Sequence, residues 1–222
     1  MGYRLENKDV DLGGLRPLTY VPSKKAGDVY RFRNDAIRVF KEDEHPIDED
    51  TARYLTTIST DRVLLPKKLL FYNNAFKGYT MKLVSQRGAN KKLIGAPKRD
   101  LIESIEVVEA DIDKLSQRKV LLNNTGIGHT LYNGDLFLVD PSKYRLLDYG
   151  DSDSLRRLNL YHLHLLVGEM ITTELRKINF PQSSINHMKE IMELRDIDQT
   201  TSEYLDSIIG EQKDIKQLVK KL

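Results

Sequence analysis

The chain contains no cysteine and no tryptophan. Without thiols it can form neither a disulfide nor a thiolate metal site, which is compatible with a reducing compartment. It also has no marked excess of charge: 35 Lys and Arg against 33 Asp and Glu leave +2. That balance argues against nucleic acid as an obligate partner. No apolar run approaches the roughly 20 residues that span a bilayer. The first residues, MGYRLENKDVDLGG, are charged where an export signal would be apolar, so the expected location is the cytoplasm, with no membrane partner. No G-x-x-x-x-G-K-[ST] occurs, which excludes a P-loop nucleotide site. Internal repeats and low-complexity tracts are missing too. What is present is a 40% apolar content over 222 residues, enough to bury a real core in one large domain or two small lobes.

Residues 1–84 read mostly as strands. DVYRF and DAIRVF flank Arg33-Asn34-Asp35 and predict a hairpin; KKLLFYNNAFKGYTMKLV predicts two more strands around Asn73-Asn74. Between them, EHPIDEDTARYLTTIS has Pro46 and acidic residues at its start and Ala52, Leu55 and Ile58 at helical spacing. Residues 85–98, SQRGANKKLIGAPK, are basic and punctuated by glycine and proline, and read as a linker. Beyond it, Leu101, Ile102, Ile105, Val108, Ile112 and Leu115 lie along one face of a predicted helix over 99–119. NNTGIGHTLYNGD then leads into two short apolar runs, LFLVD and YRLLDYG, expected to pair as a hairpin about Pro141-Ser142. From residue 155 the pattern is helical, with a break at Pro181 and further helical segments around 184–195 and 201–221.

Strands, a helix, more strands, a linker, then helices, with an Asp-aromatic-Gly after a short hairpin, resembles the protein-kinase superfamily over most of the chain. AGDVYRF is similar to the end of a glycine-rich phosphate loop, of which Gly27 remains. DAIRVFK is similar to the strand carrying the V-A-I-K lysine, GYTMKLV to the strand entering the interlobe hinge, and LLDYGD to the D-F-G metal motif. The resemblance implies an α+β, two-lobed kinase-like fold: a sheet-rich lobe over 1–84, a hinge over 85–98 and a helical lobe over 99–222. It implies ATP and Mg²⁺ as ligands, with Asp148 and Asp135 as metal ligands and Arg38 at the phosphate-contacting lysine position. Gly27, Val29, Ala36, Met81, Lys82 and Val84 would complete the nucleotide site, and Glu49 or Asp50 would orient Arg38.

The sequence departs from that pattern in ways that bear on turnover. In H-R-D-x-x-x-x-N the general base lies five positions before the asparagine; five before Asp135 stands Thr130, which cannot take a proton as a carboxylate does. The neighbouring His129 has the intrinsic basicity for a substitute role. Arginine at position 38 keeps the charge but replaces a compact ammonium with a planar fork. Only DSDS separates Gly150 from the next helix, so no peptide-docking activation segment follows. The expectation is a nucleotide-binding kinase-like protein with weak or atypical phosphotransfer; the alternative is a pseudokinase, an inactive interaction or regulatory module with a protein partner. His162 and His164 stand two apart on a predicted helix, on different faces, and do not suit one metal. His45 and His187 have no identifiable partner. Lys67, Lys68, Arg87, Lys91, Lys92, Lys98 and Arg99 form a basic set that chiefly solvates the surface.

Overall fold

The structure is a computed structural model that describes residues 2–18, 28–41, 47–84, 103–122, 130–148, 150–176, 186, 188–189, 192 and 199–219. The fold is α+β. Seven strands, β1 (Tyr3–Leu5), β2 (Lys8–Val10), β3 (Arg16–Pro17), β4 (Asp28–Phe32), β5 (Asp35–Val39), β6 (Lys68–Tyr72) and β7 (Ala75–Lys82), form one sheet in the order β2-β1-β6-β7-β5-β4-β3. All its pairings are antiparallel. Both predicted hairpins form, at Arg33-Asn34 between β4 and β5 and at Asn73-Asn74 between β6 and β7. Asn73 and Asn74 have φ 49° and 68°, the double left-handed geometry that matches strand twist in a two-residue loop. Strands β1 to β3 extend the sheet beyond the sequence expectation.

Helix α1 (Glu49–Leu55) is shorter than predicted and stops before Ile58. Its start is set by Asp48, whose carboxylate accepts the Thr51 amide at 2.7 Å and the Thr51 hydroxyl at 2.8 Å, supplying acceptors for otherwise unpartnered groups of the first turn. Burial works to raise the Asp48 pKa, but these bonds prevail and hold it below the usual carboxylate value. Helix α2 (Ile105–Gln117) buries Ile105, Val108, Ile112 and Leu115 of the predicted stripe, whose Leu101 and Ile102 lie outside the described residues. Helices α3 (Ser152–Arg176) and α4 (Gln199–Val219) follow.

The short strands between α2 and α3 overturn one expectation. LFLVD and YRLLDYG do not pair with each other. Strand β10 (Leu136–Leu138) pairs with β9 (Thr130–Tyr132), while β11 (Arg145–Leu146) pairs with β8 (Val120–Leu121). The hairpin turns at Asn133-Gly134-Asp135, with Gly134 at φ 108°; Pro141–Lys143 is a turn of 3₁₀ helix.

The two faces of the large sheet differ. One buries Leu5, Ile37 and Leu70 beneath Tyr3, Leu12, Phe32 and Val39. The other carries Ala36, Leu69, Tyr79 and Met81 into a core shared with Ala52 and Leu55 of α1, Val108 and Ile112 of α2, Leu131 and Leu138 of the β9–β10 hairpin, and Leu166 of α3. A buried carboxylate fastens these parts: Asp111 of α2, fully buried, accepts the amides of Asp61, Arg62 and Val63 at 2.8, 2.7 and 3.1 Å. The same segment meets the hairpin through Leu64 N–H to Leu138 C=O at 2.7 Å and Leu138 N–H to Arg62 C=O at 3.0 Å. Loop, helix and hairpin are thus bolted together. Among the described residues no helix is long and apolar enough to cross a membrane.

Candidate functional site

Strand alternation puts Ala36, Arg38 and Phe40 on the core-facing side of the sheet. Arg38 is the charged member of that row. Its flanking partners across the ladder are Val29 and Tyr79, and its guanidinium lies 5.9 Å from the Phe40 ring centroid. Nη1 meets Oδ1 of Asp140 at 2.8 Å, with side chains only 5% and 7% exposed. Asp140 stands two residues past β10, and the same Oδ1 accepts the Ser142 amide at 3.0 Å, capping the 3₁₀ turn. Beside it, Tyr144 is buried, and its pKa is pushed up by that burial first and by the Asp140 charge second. A buried ion pair therefore joins the large sheet to the exit of the small hairpin.

Around the pair is an apolar wall. Ala36, Met81, Val84, Leu131 and Leu138 are buried in one cluster, and Val29 packs against it half-buried. Four of the seven predicted nucleotide contacts, Val29, Ala36, Arg38 and Met81, are thus brought onto one face of the sheet, with Val84 in the same core. Lys82 points elsewhere: it is exposed, its Nζ 3.5 Å from the Asp61 carbonyl and 5.9 Å from the Phe137 ring centroid. Gly27 and His129 lie outside the described residues, as do Pro46, His45, His187 and the predicted linker 85–98.

The predicted acids fall differently. Asp135 sits at the tip of the β9–β10 hairpin, half-exposed, paired with Arg62 at 2.9 Å. Thr130 is a buried residue of β9 opposite Leu138. Asp148 is exposed beyond β11, where the chain turns into α3. That corner has its own local chemistry: the Lys119 ammonium donates to the Gly150 carbonyl, and Asp151 accepts the Ser154 amide at 2.7 Å. Hydrogen bonds from the Ser154 side chain and amide hold Asp151 below the usual carboxylate range. Asp151 thus caps the entry to α3, and the carboxylate that meets Arg38 is Asp140, eight positions before Asp148. Neither predicted helix acid orients Arg38: Glu49 pairs with Arg53 at 2.6 Å, and Asp50 is exposed in the first turn of α1, where a negative charge suits the helix dipole.

Two further residues lay hidden in the helical pattern of α3. Asn159, fully buried, donates to Ser116 Oγ and the Val120 carbonyl, each at 3.0 Å, and accepts the Leu122 amide at 2.9 Å. His162 Nδ1 bonds the Leu122 carbonyl at 3.0 Å. Burial holds His162 below its ordinary pKa of 6.5, against the opposing pull of that carbonyl, so the neutral ring donates. Both backbone groups of Leu122 are held by α3 where β8 ends. His164 instead pairs with Glu109 of α2 at 2.9 Å, and that bond is the main cause of Glu109's lowered pKa. The two histidines do serve different faces, as their spacing implied.

A magnesium ion held mainly by phosphate oxygens and water requires one or two protein carboxylates. The carboxylate beside Arg38 is Asp140, 7% exposed. Among the described residues no group of three or more His, Cys, Asp or Glu side chains is placed to hold a metal by itself. No family model matches the chain, and no curated protein matches it as a relative.

Proposed function

We propose that the chain is a compact kinase-like nucleotide-binding protein, two-lobed in the kinase sense, whose phosphate-facing cation is Arg38 and whose metal-facing carboxylate is Asp140. The observation that carries this is the buried Arg38–Asp140 pair. Withdrawing two charges from water is unfavourable, and a well-packed apolar pair would often stabilise a fold as much or more. A cation and a carboxylate kept together against an apolar wall are what a Mg²⁺–triphosphate needs: the guanidinium offers donors to phosphate oxygens, and the carboxylate offers an oxygen to the metal. The order of elements around the pair supports the same reading, since a cation on the central β5 and an acid just after a β-hairpin correspond to the V-A-I-K lysine and the D-F-G aspartate. Val29, Ala36 and Met81 would then flank the base. Magnesium, when bound, supplies charge neutralisation for the phosphates.

With Asp140 in the metal role, the same spacings move the catalytic-loop positions eight residues earlier, from Thr130 and Asp135 to Leu122 and Ile127, and neither of these carries a carboxylate. The shift favours binding over efficient transfer, because removal of a general base lowers the rate about 10²–10⁴-fold. It also gives specific support to the second reading, a pseudokinase that acts through a protein partner.

Thermal unfolding with ATP and Mg²⁺ tests the site. The wild type and Asp148→Ala should be stabilised by the nucleotide in a metal-dependent way, and Asp140→Asn should lose the metal dependence. No stabilisation of the wild type at millimolar ATP·Mg²⁺ would sink the proposal. Release of labelled phosphate, measured on the same samples, separates slow transfer from none.

A further inference from the structure

The ladder of the large sheet holds an unusual cross-strand row. Arg16 of β3 stands directly opposite Arg31 of β4, Arg31 opposite Ala36 of β5, and Ala36 opposite Met81 of β7. Directly opposed residues share a face, and their Cβ atoms lie about 4.5–5.5 Å apart. The row therefore runs from two buried apolar side chains to two arginines at the open edge of the sheet, both exposed. Like charges directly opposite destabilise a ladder. Neither guanidinium makes an ion pair or a side-chain hydrogen bond with any described residue. The nearest carboxylate in the register, Asp35, belongs to the opposite face and is already paired with Lys67 at 2.6 Å.

We propose that Arg16 and Arg31 form a binding pair for the phosphoryl group of a small phosphate ester, at the sheet edge beyond Ala36. Two planar forks side by side present more donors than one carboxylate can accept, whereas a phosphate monoester has three peripheral oxygens and a double charge to match them. Phosphate between the forks replaces their mutual repulsion with attraction. This site is separate from the Arg38–Asp140 pair and does not depend on the nucleotide reading; if both hold, it sits where a phosphorylated co-substrate or effector would share the same face of the sheet.

The test uses the full chain at low ionic strength, with inorganic phosphate as probe and chloride at matched ionic strength as control. In the absence of phosphate, Arg16→Gln and Arg31→Gln should unfold at the same temperature as the wild type or higher, because each removes the repulsion. Phosphate should stabilise the wild type beyond chloride, and each single variant should bind it about tenfold more weakly. Asp140→Asn should keep the phosphate response, which distinguishes failure here from failure of the nucleotide site. Equal responses to phosphate and chloride in the wild type would overturn the proposal. So would an unchanged phosphate response in the double variant, or a loss confined to one of the two arginines.

Discussion

At the scale of single residues, the Arg38–Asp140 pair and the Leu122 clamp carry the consequences. Removing one partner of a buried pair leaves an uncompensated charge, so Arg38→Ala or Asp140→Ala should lower unfolding free energy by about 3–5 kcal/mol. The double change Arg38→Met with Asp140→Leu should recover much of that loss while abolishing any metal-dependent ATP effect; denaturant titration of the three variants decides it. His162 predicts a pH dependence of opposite character. Its folded pKa lies below the ordinary 6.5, so the unfolded chain takes up the proton first as pH falls. Stability from this group is complete above 6.5 and declines as pH drops through the folded value. Urea midpoints measured across that range should fall with acidification in the wild type and fall less in His162→Gln, which keeps a donor for the Leu122 carbonyl without titrating.

At the scale of elements, the pairing of β5 with β7 holds Arg38 in place, and Gly78 makes that pairing close. A Cβ at Gly78 would lie 1.9 Å from the Arg38 carbonyl oxygen, and its φ of 154° is one that side chains rarely adopt. Backbone sits on the other side of the contact, so no rotamer change relieves it. Gly78→Ala should therefore destabilise at or beyond the upper end of the ~1–3 kcal/mol typical of overpacking, and under the proposed function it should weaken ATP binding through the displaced Arg38; calorimetric unfolding and ATP titration of the variant check both. Most element types were legible in sequence, because alternation in DVYRF and DAIRVF and the helical stripe from Ile105 to Leu115 reflect burial against a core. The β9–β10 hairpin was legible as well, through the Asn133-Gly134 pair between two apolar runs. The competing Pro141-Ser142 turn drew the expected pairing eight residues off, and the short strands gave no sign that Asp140 would be the acid that meets Arg38.

At the scale of the whole molecule, the main core does not divide at the predicted linker. Ala36, Leu55, Leu69 and Met81 from before it share one buried cluster with Val108, Ile112, Leu138 and Leu166 from after it, and Asp111 reaches back to three amides of the 61–63 turn. A shared core couples the two halves, so far-UV circular dichroism and tyrosine fluorescence should report one coincident denaturant transition; two separated midpoints would show that they unfold independently. The sequence by itself determined the α+β class, the hairpins at Arg33-Asn34 and Asn73-Asn74, the apolar face of α2 and the place of one cation, Arg38, within a strand, because each is set by neighbours along the chain. Tertiary structure alone decided which acid meets that cation, which short strands pair, and that Asn159, His162 and Asp111 tie the halves together. Those contacts join residues far apart in sequence, and a carboxylate before a turn looks the same whether it ends up against a buried guanidinium or at an exposed corner.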